Sequence, residues 1–197
     1  MAPMPKSSAS PLVRDIVLGI DPGSIVTGWG LVEVEGNQLR HLSHGTIATS
    51  TALGLALRLS QIYRELHKII EHYQPTAVSV EKVFFSRNVQ SALKLGQARG
   101  VALLAAAERE IGVAEYSAAE VKMSVVGYGQ ATKEQVQRMV STLLCLRGSI
   151  RADAADALAA AICHIHRRTF QNLVARSLNG QVKATSWRDY IETASRR

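Results

Sequence analysis

The chain has 197 residues, 47% of them hydrophobic and 20% charged, which fits one folded domain with short tails and excludes a large multidomain assembly or a fibrous protein. Lysine and arginine outnumber aspartate and glutamate by 23 to 16, giving a net charge of +7 that favours a polyanionic partner such as nucleic acid or an anionic membrane. The longest apolar run, residues 101–107, is far shorter than the roughly 20 residues of a membrane span, so we expect no membrane partner.

The chain begins with a segment rich in proline and serine, residues 1–13, which we interpret as a flexible leader because it lacks the apolar run of a secretory signal. The two cysteines, Cys145 and Cys163, are not spaced as a CxxC pair. This cysteine usage favours a reducing compartment, and we expect a cytoplasmic protein.

Three strands are predicted first. The run DIVLGID spans Asp15–Asp21 and ends at an acid followed by Pro-Gly. Alternating apolar residues predict strands over residues 26–35 and 39–49, and the Gly-Asn pair between them predicts an antiparallel hairpin.

Helices and strands then alternate. Apolar residues three and four apart predict an amphipathic helix from Leu55 to Tyr73, which ends before Pro75. A short apolar strand, residues 77–81, again ends in an acid, and a helix over residues 89–111 is apolar around its circumference. Such a helix must be covered on both sides, by its own sheet and by a second subunit.

The remaining segments complete the domain. We predict one more strand over residues 113–117 and three more helices over residues 119–125, 133–146 and 153–167. Residues 171–197 are polar and basic, and we predict that they form a mobile tail. The element order implies an α/β fold, a mixed five-stranded sheet flanked by helices, with the domain spanning residues 14–170. A right-handed crossover places the strand ending at Glu81 beside the strand ending at Asp21.

Four acids are candidates for chemistry. Asp21 and Glu81 end neighbouring parallel strands, at the sheet edge where open α/β sheets hold their sites. Asp153 and Asp156 lie three residues apart on one helix face, followed by a run of alanines that permits close packing on the sheet. Four converging carboxylates repel one another unless a divalent cation such as Mg²⁺ or Mn²⁺ neutralises them.

Each acid also has an ordinary structural interpretation. Asp21 precedes Pro-Gly and suits a turn, and Asp153 at a helix start suits a cap. Glu81 has neither explanation, and the four together are harder to attribute to chance than any one of them.

Several segments together closely resemble the RuvC family of Holliday junction resolvases. They are GIDPGS at 19–24, TGWG at 27–30, VEKVFF at 80–85, SALKLGQARG at 91–100, VKMSVVGYG at 121–129 and ADAADALAAAI at 152–162. The resemblance implies an RNase H-like fold and a homodimer that acts alongside a RuvAB-type branch-migration complex. It also implies symmetric, metal-dependent cleavage of opposing strands in four-way junction DNA, giving ligatable nicks.

The resemblance assigns site residues as well. It makes Asp21, Glu81, Asp153 and Asp156 the catalytic and metal-binding residues, with two Mg²⁺ ions per site that Mn²⁺ can replace. Two ions about 4 Å apart suit an in-line displacement at phosphorus.

DNA-binding residues follow from the same comparison. Lys122 and Lys133 fall on basic positions of the family near the cleaved backbone. Arg87, Lys94 and Arg99 are further candidates for phosphate contacts. Phe84 is the candidate for stacking on an unpaired base, although Phe85 is the alternative exposed ring. Ile25 stands where relatives often carry arginine, so no phosphate contact is assigned there.

Three other interpretations stay open. The DPGS segment is similar to the phosphate loop of actin-like nucleotide-binding proteins, but the chain has room for only one copy of that domain. A junction-binding module without catalysis would not need all four acids. Another nuclease of the RNase H-like fold with a different nucleic-acid substrate is the nearest alternative.

Overall fold

The computed structural model describes residues 14–36, 38–82 and 89–178, which form five strands and five helices. In chain order these are β1 (Asp15–Asp21), β2 (Val26–Glu35), β3 (Gln38–Ala48), α1 (Leu55–Tyr73), β4 (Ala77–Glu81), α2 (Val89–Ala107), β5 (Gly112–Tyr116), α3 (Ala118–Val126), α4 (Lys133–Leu143) and α5 (Ala152–Leu178). None of these helices combines the length and the apolar character needed to cross a lipid bilayer.

The five strands form one mixed sheet in the order β3-β2-β1-β4-β5. β1 pairs antiparallel with β2 and parallel with β4, and β4 pairs parallel with β5. The predicted mixed five-stranded sheet is confirmed, as is the placement of β4 beside β1. The observed bounds of β3, β5 and α3 agree with the predicted ones to within one residue at each end.

The central strand β1 is buried on both faces of the sheet, because helices cover each side. Successive side chains of a strand point to opposite faces. Ile16, Leu18 and Ile20 therefore pack in a core with α1 and α2, whereas Val17 packs on the other face with residues of α3, α4 and α5.

α5 runs diagonally across the face of the sheet on which Val17 packs. Along its length it passes Gly28 of β2, then Ser79 of β4, and then Tyr116 of β5. The buried hydroxyl of Ser79 donates a hydrogen bond of 2.7 Å to the carbonyl oxygen of Ala160. The N-terminal end of α5 is thereby fixed at the edge of the sheet where β1 ends.

Two helices end earlier than predicted, because a residue with positive φ turns the backbone. α2 ends at Ala107 instead of Ile111, and Glu110 follows with a φ of 56°. α4 ends at Leu143, and Cys145 follows with a φ of 51°. Hydrophobic periodicity continues through both turns because apolar residues after the helix also enter the core.

α5 is longer than predicted. It continues to Leu178 instead of ending at Arg167, so the expected start of the tail at Gln171 falls inside the helix. Phe170 on this extension is half-buried, and the Thr169 hydroxyl donates to the carbonyl of Ile165 at 2.8 Å. Polar composition therefore did not end the helix. The predicted leader and residues 179–197 of the predicted tail lie outside the described residues.

Candidate active site

Asp21 and Glu81 lie side by side at one edge of the sheet. Ile20 of β1 pairs with Val80 of β4 in parallel register, and each acid is the next residue along its strand. Both side chains are half-buried. The sheet topology thus produces the neighbouring acids that strand order alone predicted.

Asp153 is brought to the same edge by the absence of a side chain on β2. Gly28 pairs with Asp21, and a Cβ atom built on Gly28 would lie 1.9 Å from the carbonyl oxygen of Asp153. A Cβ on Gly19 of β1 would lie 1.9 Å from the carbonyl of Ala157. The backbone of α5 therefore rests directly on the two strands.

These two glycines were not identified as site-forming residues from the sequence. Glycines inside two paired strands, one in β1 and two in β2, are the signal that could have found them, since a glycine inside a strand often marks a close backbone approach. Small residues of α5 complete the contact, because Ala154, Ala155 and Ala157 are fully buried beside the acids.

The four acids interact electrostatically. Burial, first, and then the negative charges of Asp156, Glu81 and Asp153 raise the pKa of Asp21 from 3.8 to about 7. Burial and the charge of Asp156 likewise raise the pKa of Glu81. An acid with a pKa this far above its usual range, among other carboxylates, is typical of a functional site.

Lys133 and Lys122 supply positive charge to this edge. The Nζ of Lys133 lies 3.3 Å from Oδ2 of Asp156, and the Asp156 carboxylate raises the pKa of Lys133. Lys133 is the first residue of α4, a position fixed by Thr132, whose hydroxyl accepts the N–H of Gln135. Lys122 is half-buried on α3, and its charge, like that of Lys133, acts to lower the pKa of Glu81.

The four acids are not arranged as a ready-made metal site. Within the described ranges, no three histidine, cysteine, aspartate or glutamate side chains are close enough to bind one metal ion together. Two cavities of about 570 and 440 Å³ lie elsewhere, and neither is lined by any of the four acids. The site is an acidic edge of the sheet, and its side chains are not preassembled around an ion.

The structure describes only some of the other candidate DNA-binding residues. Phe84, Phe85 and Arg87 lie in 83–88, outside the described residues. Arg99, a further candidate for a phosphate contact, forms an ion pair with Glu115. The segment 83–88 joins β4 to α2, so it begins two residues after Glu81.

The chain is similar to known proteins over most of its length. A model of the family described as crossover junction endodeoxyribonuclease RuvC matches residues 17–164. The chain belongs to the RuvC family. A Pelobacter propionicus protein of that name is 50% identical over 174 residues, which cover 88% of this chain and 98% of the relative. A Syntrophotalea carbinolica relative is 55% identical over 150 residues, or 76% of this chain and 93% of the relative.

A solved structure also matches the fold. It is described as T. thermophilus RuvC in complex with Holliday junction substrate, and it is 35% identical to this chain with a TM-score of 0.76. The match covers 80% of this chain and 96% of that protein. The expected RNase H-like fold of a RuvC-family protein is confirmed.

Proposed function

We propose that this RuvC-family chain is a crossover junction endodeoxyribonuclease, which hydrolyses phosphodiester bonds in opposing strands of four-way junction DNA and leaves ligatable nicks. The observation that carries the proposal is the convergence of Asp21, Glu81, Asp153 and Asp156 at one sheet edge, where burial and then the other three carboxylates raise the pKa of Asp21 to about 7. Family membership points to the same chemistry, and the net charge of +7 suits a polyanionic substrate.

Divalent cations fit the chemistry of this donor set. The candidate ligands are all carboxylate oxygens, which Mg²⁺ and Mn²⁺ prefer, and mutual repulsion favours a cation between them. Because no three candidate ligands among the described residues are close enough to share an ion, binding requires side-chain rotations. We propose two Mg²⁺ ions held by the four acids, supplying Lewis-acid stabilisation of the negative charge that develops on the phosphate.

The side chains around the acids have distinct roles in this proposal. Lys133 and Lys122 bind the DNA backbone beside the cleaved bond, since each combines positive charge with proximity to an acid of the site. With a pKa of about 7, Asp21 is divided between its protonated and ionised forms at neutral pH, and nearby positive charge favours the ionised form. Phe84 and Arg87 extend the DNA-binding surface from the segment after β4.

A homodimer is part of the proposal, because cuts in opposing strands require two sites related by symmetry. Its support is the surface of α2, on which Val89, Leu93 and Leu104 are exposed. The proposal also includes a cytoplasmic location, which the cysteine usage favours, and work alongside a RuvAB-type branch-migration complex, which the family resemblance implies.

A cleavage assay on labelled synthetic junctions tests the function. The chain is incubated with a four-way junction and, separately, with a linear duplex of the same sequence, each with and without Mg²⁺. We expect paired nicks in opposing arms of the junction only when Mg²⁺ is present. Equal cleavage of the linear duplex would favour a different RNase H-like nuclease, and magnesium-independent cutting would remove the proposed role of the acids.

Glu81→Gln provides the variant for this assay, and Glu115→Gln provides a control at the end of the neighbouring strand. Glu81 has a raised pKa within the acidic edge, whereas Glu115 is paired with Arg99. We expect Glu81→Gln to lose cleavage and Glu115→Gln to retain it.

A further inference from the structure

One charged residue lies within the buried stripe of α1. The side chains that α1 buries recur every fourth residue, and they are Arg58, Ile62, Leu66 and Ile70. Three of these are aliphatic, as an amphipathic helix requires, yet Arg58 is only 8% exposed. Arginine is rarely buried to this extent without a charged partner. Local rules of this kind are broken most often at functional sites.

The contacts of Arg58 show what its guanidinium does. Its NH1 group donates a hydrogen bond of 3.2 Å to the carbonyl oxygen of Ser24, and its Nε is buried without a partner. No carboxylate in the described part of the chain forms an ion pair with it. A buried charge without a counter-ion is costly, and an aliphatic side chain would fill the same position. What arginine adds is the hydrogen bond to Ser24.

Ser24 belongs to the turn of residues 22–25, which directly follows Asp21. The Thr49 hydroxyl also donates to the Ser24 carbonyl, at 2.9 Å, and the Thr49 N–H donates to the carbonyl of Ile25, at 2.8 Å. Thr49 is itself 8% exposed. Two buried side chains from different elements, Arg58 of α1 and Thr49 after β3, thus hold the same carbonyl oxygen of the turn.

Asp21 needs such support because burial and neighbouring negative charges disfavour its carboxylate in the site. Its carboxylate is half-buried and is repelled by Asp156 and Glu81, so rotation out of the site would relieve unfavourable energy. A reacting group must be held close to its productive geometry by neighbours whose own positions are fixed. The turn of residues 22–25 is the covalent continuation of Asp21, and its conformation limits the backbone orientation of that residue.

We propose that Arg58 is a positioning residue, which together with Thr49 clamps the turn of residues 22–25 and thereby orients Asp21 for cleavage. The inference rests on the proposed nuclease function. It predicts a different outcome from a direct DNA contact, because the described contacts of Arg58 are with the protein, its Nε being buried and its NH1 donating to Ser24. A clamp acts on the cleavage rate, whereas a phosphate contact acts on DNA affinity.

Three variants and a matched control separate these roles. Arg58→Met removes the donors and the charge while keeping an extended side chain, and Arg58→Lys keeps a charged donor. Thr49→Val removes only the second donor to the Ser24 carbonyl, which is the Thr49 hydroxyl. Arg64→Met is the control, because Arg64 is an exposed arginine on the same helix. For each, we would measure the single-turnover cleavage rate of a labelled four-way junction with saturating Mg²⁺, the Kd for the junction in EDTA, and amide hydrogen exchange.

For Arg58→Met we expect a cleavage rate about 10- to 100-fold lower, the loss that a misplacement of about 1 Å can cause, with Kd changed less than threefold. Thr49→Val should lower the rate in the same direction, Arg58→Lys should recover part of it, and Arg64→Met should stay within twofold of wild type. The Thr49 amide should exchange faster in Arg58→Met, while the Ile62 and Leu66 amides keep their wild-type protection.

Three results would overturn the clamp. They are an Arg58→Met cleavage rate within twofold of wild type, a loss of affinity as large as the loss of rate, and faster exchange along all of α1, which would indicate general destabilisation. If the wild-type chain failed to cut junctions, the nuclease proposal would fail, but hydrogen exchange at Thr49 would still report whether Arg58 holds the turn.

Discussion

The acids at the two ends of β1 have opposite electrostatic environments. At the first end, Asp15 forms an ion pair with Arg168 and accepts a hydrogen bond of 3.0 Å from Thr76. At the last end, Asp21 forms no ion pair among the described residues, and burial and neighbouring carboxylates raise its pKa to about 7. The seven-residue strand β1 therefore has an acid with a positively charged partner at one end and, among the described residues, an acid without one at the other.

The same contrast extends to neighbouring elements. Beside Asp15, Glu33 of β2 accepts hydrogen bonds from Arg14 and Arg40, and the bond from Arg14 lowers the pKa of Glu33. Beside Asp21, the positive charges are held more loosely, with the side chain of Lys133 at 3.3 Å from Asp156 and 72% exposed. Asp15 and Glu33 have counter-ions within the fold, whereas Asp21, which we propose to be catalytic, has none among the described residues.

Asp21→Asn should give the largest effect of the variants that probe this contrast. The substitution keeps the size of the side chain and removes the negative charge that a divalent cation requires. We expect cleavage of a four-way junction to fall by about 10³-fold or more, as when a member of a catalytic group is removed, with junction binding largely unchanged. Single-turnover cleavage and gel-shift titration measure the two quantities.

Asp15→Asn is the matched control at the opposite end of β1. It removes the same charge from the same strand, but its expected cost is limited to the contacts with Arg168 and Thr76. Cleavage by this variant should stay within about twofold of wild type once the protein is folded. If Asp21→Asn cleaved as well as Asp15→Asn does, the assignment of the catalytic end would be wrong.

Gly28→Ala tests how α5 brings its acids to the site. The added methyl group would meet the carbonyl oxygen of Asp153 at 1.9 Å, so the start of α5 must shift away from β2. We expect the free energy of unfolding to fall by about 1–3 kcal/mol, as for overpacked cores, and cleavage to fall by roughly 10- to 100-fold because Asp153 and Asp156 move.

Gly112→Ala is its control within the same sheet, because a Cβ atom on Gly112 meets no atom within 4 Å in the described structure. Urea denaturation and junction cleavage should both remain near wild type in this variant. Equal behaviour of the two glycine variants would show that close contact between α5 and β2 is not needed to assemble the site.

The pH dependence of stability without metal is the next expected effect. An unfolded Asp21 loses its proton near its ordinary pKa of 3.8, whereas the folded protein keeps that proton up to about pH 7. Unfolding therefore releases a proton between these values, so the free energy of unfolding falls as pH rises from about 4 to 7. Asp21→Asn removes this contribution.

Urea denaturation in EDTA at pH 5 and pH 8 measures this difference. At pH 8, Asp21→Asn should be more stable than wild type by roughly 2 kcal/mol, and the difference should be smaller at pH 5. Added Mg²⁺ should stabilise the wild-type protein more than the variant. Wild-type and variant proteins with parallel pH profiles would show that Asp21 titrates normally.

Much of the acidic edge was predictable because it depends on element order. Asp21 and Glu81 could be placed together since both end apolar strands that a right-handed crossover makes neighbours. Arg58 could not be found in this way, because hydrophobic periodicity assigns charged residues to the solvent side of a helix. The ends of α2 and α4 were also missed, since they depend on the backbone conformations of Glu110 and Cys145.

Glu33→Gln should have the smallest effect, and it tests the paired end of the sheet. Both arginine partners of Glu33 are 58% exposed, so we expect the free energy of unfolding to fall by only about 0.5–1 kcal/mol at pH 7, with cleavage unchanged. Because folding lowers the pKa of Glu33, its contribution is present above its ordinary pKa of 4.5 and is lost as pH falls through the lower folded value. The stability difference between wild type and variant should accordingly shrink in strong acid, the reverse of the behaviour expected for Asp21. A cleavage defect in Glu33→Gln approaching that of Asp21→Asn would mean that the two ends of the sheet are not functionally distinct.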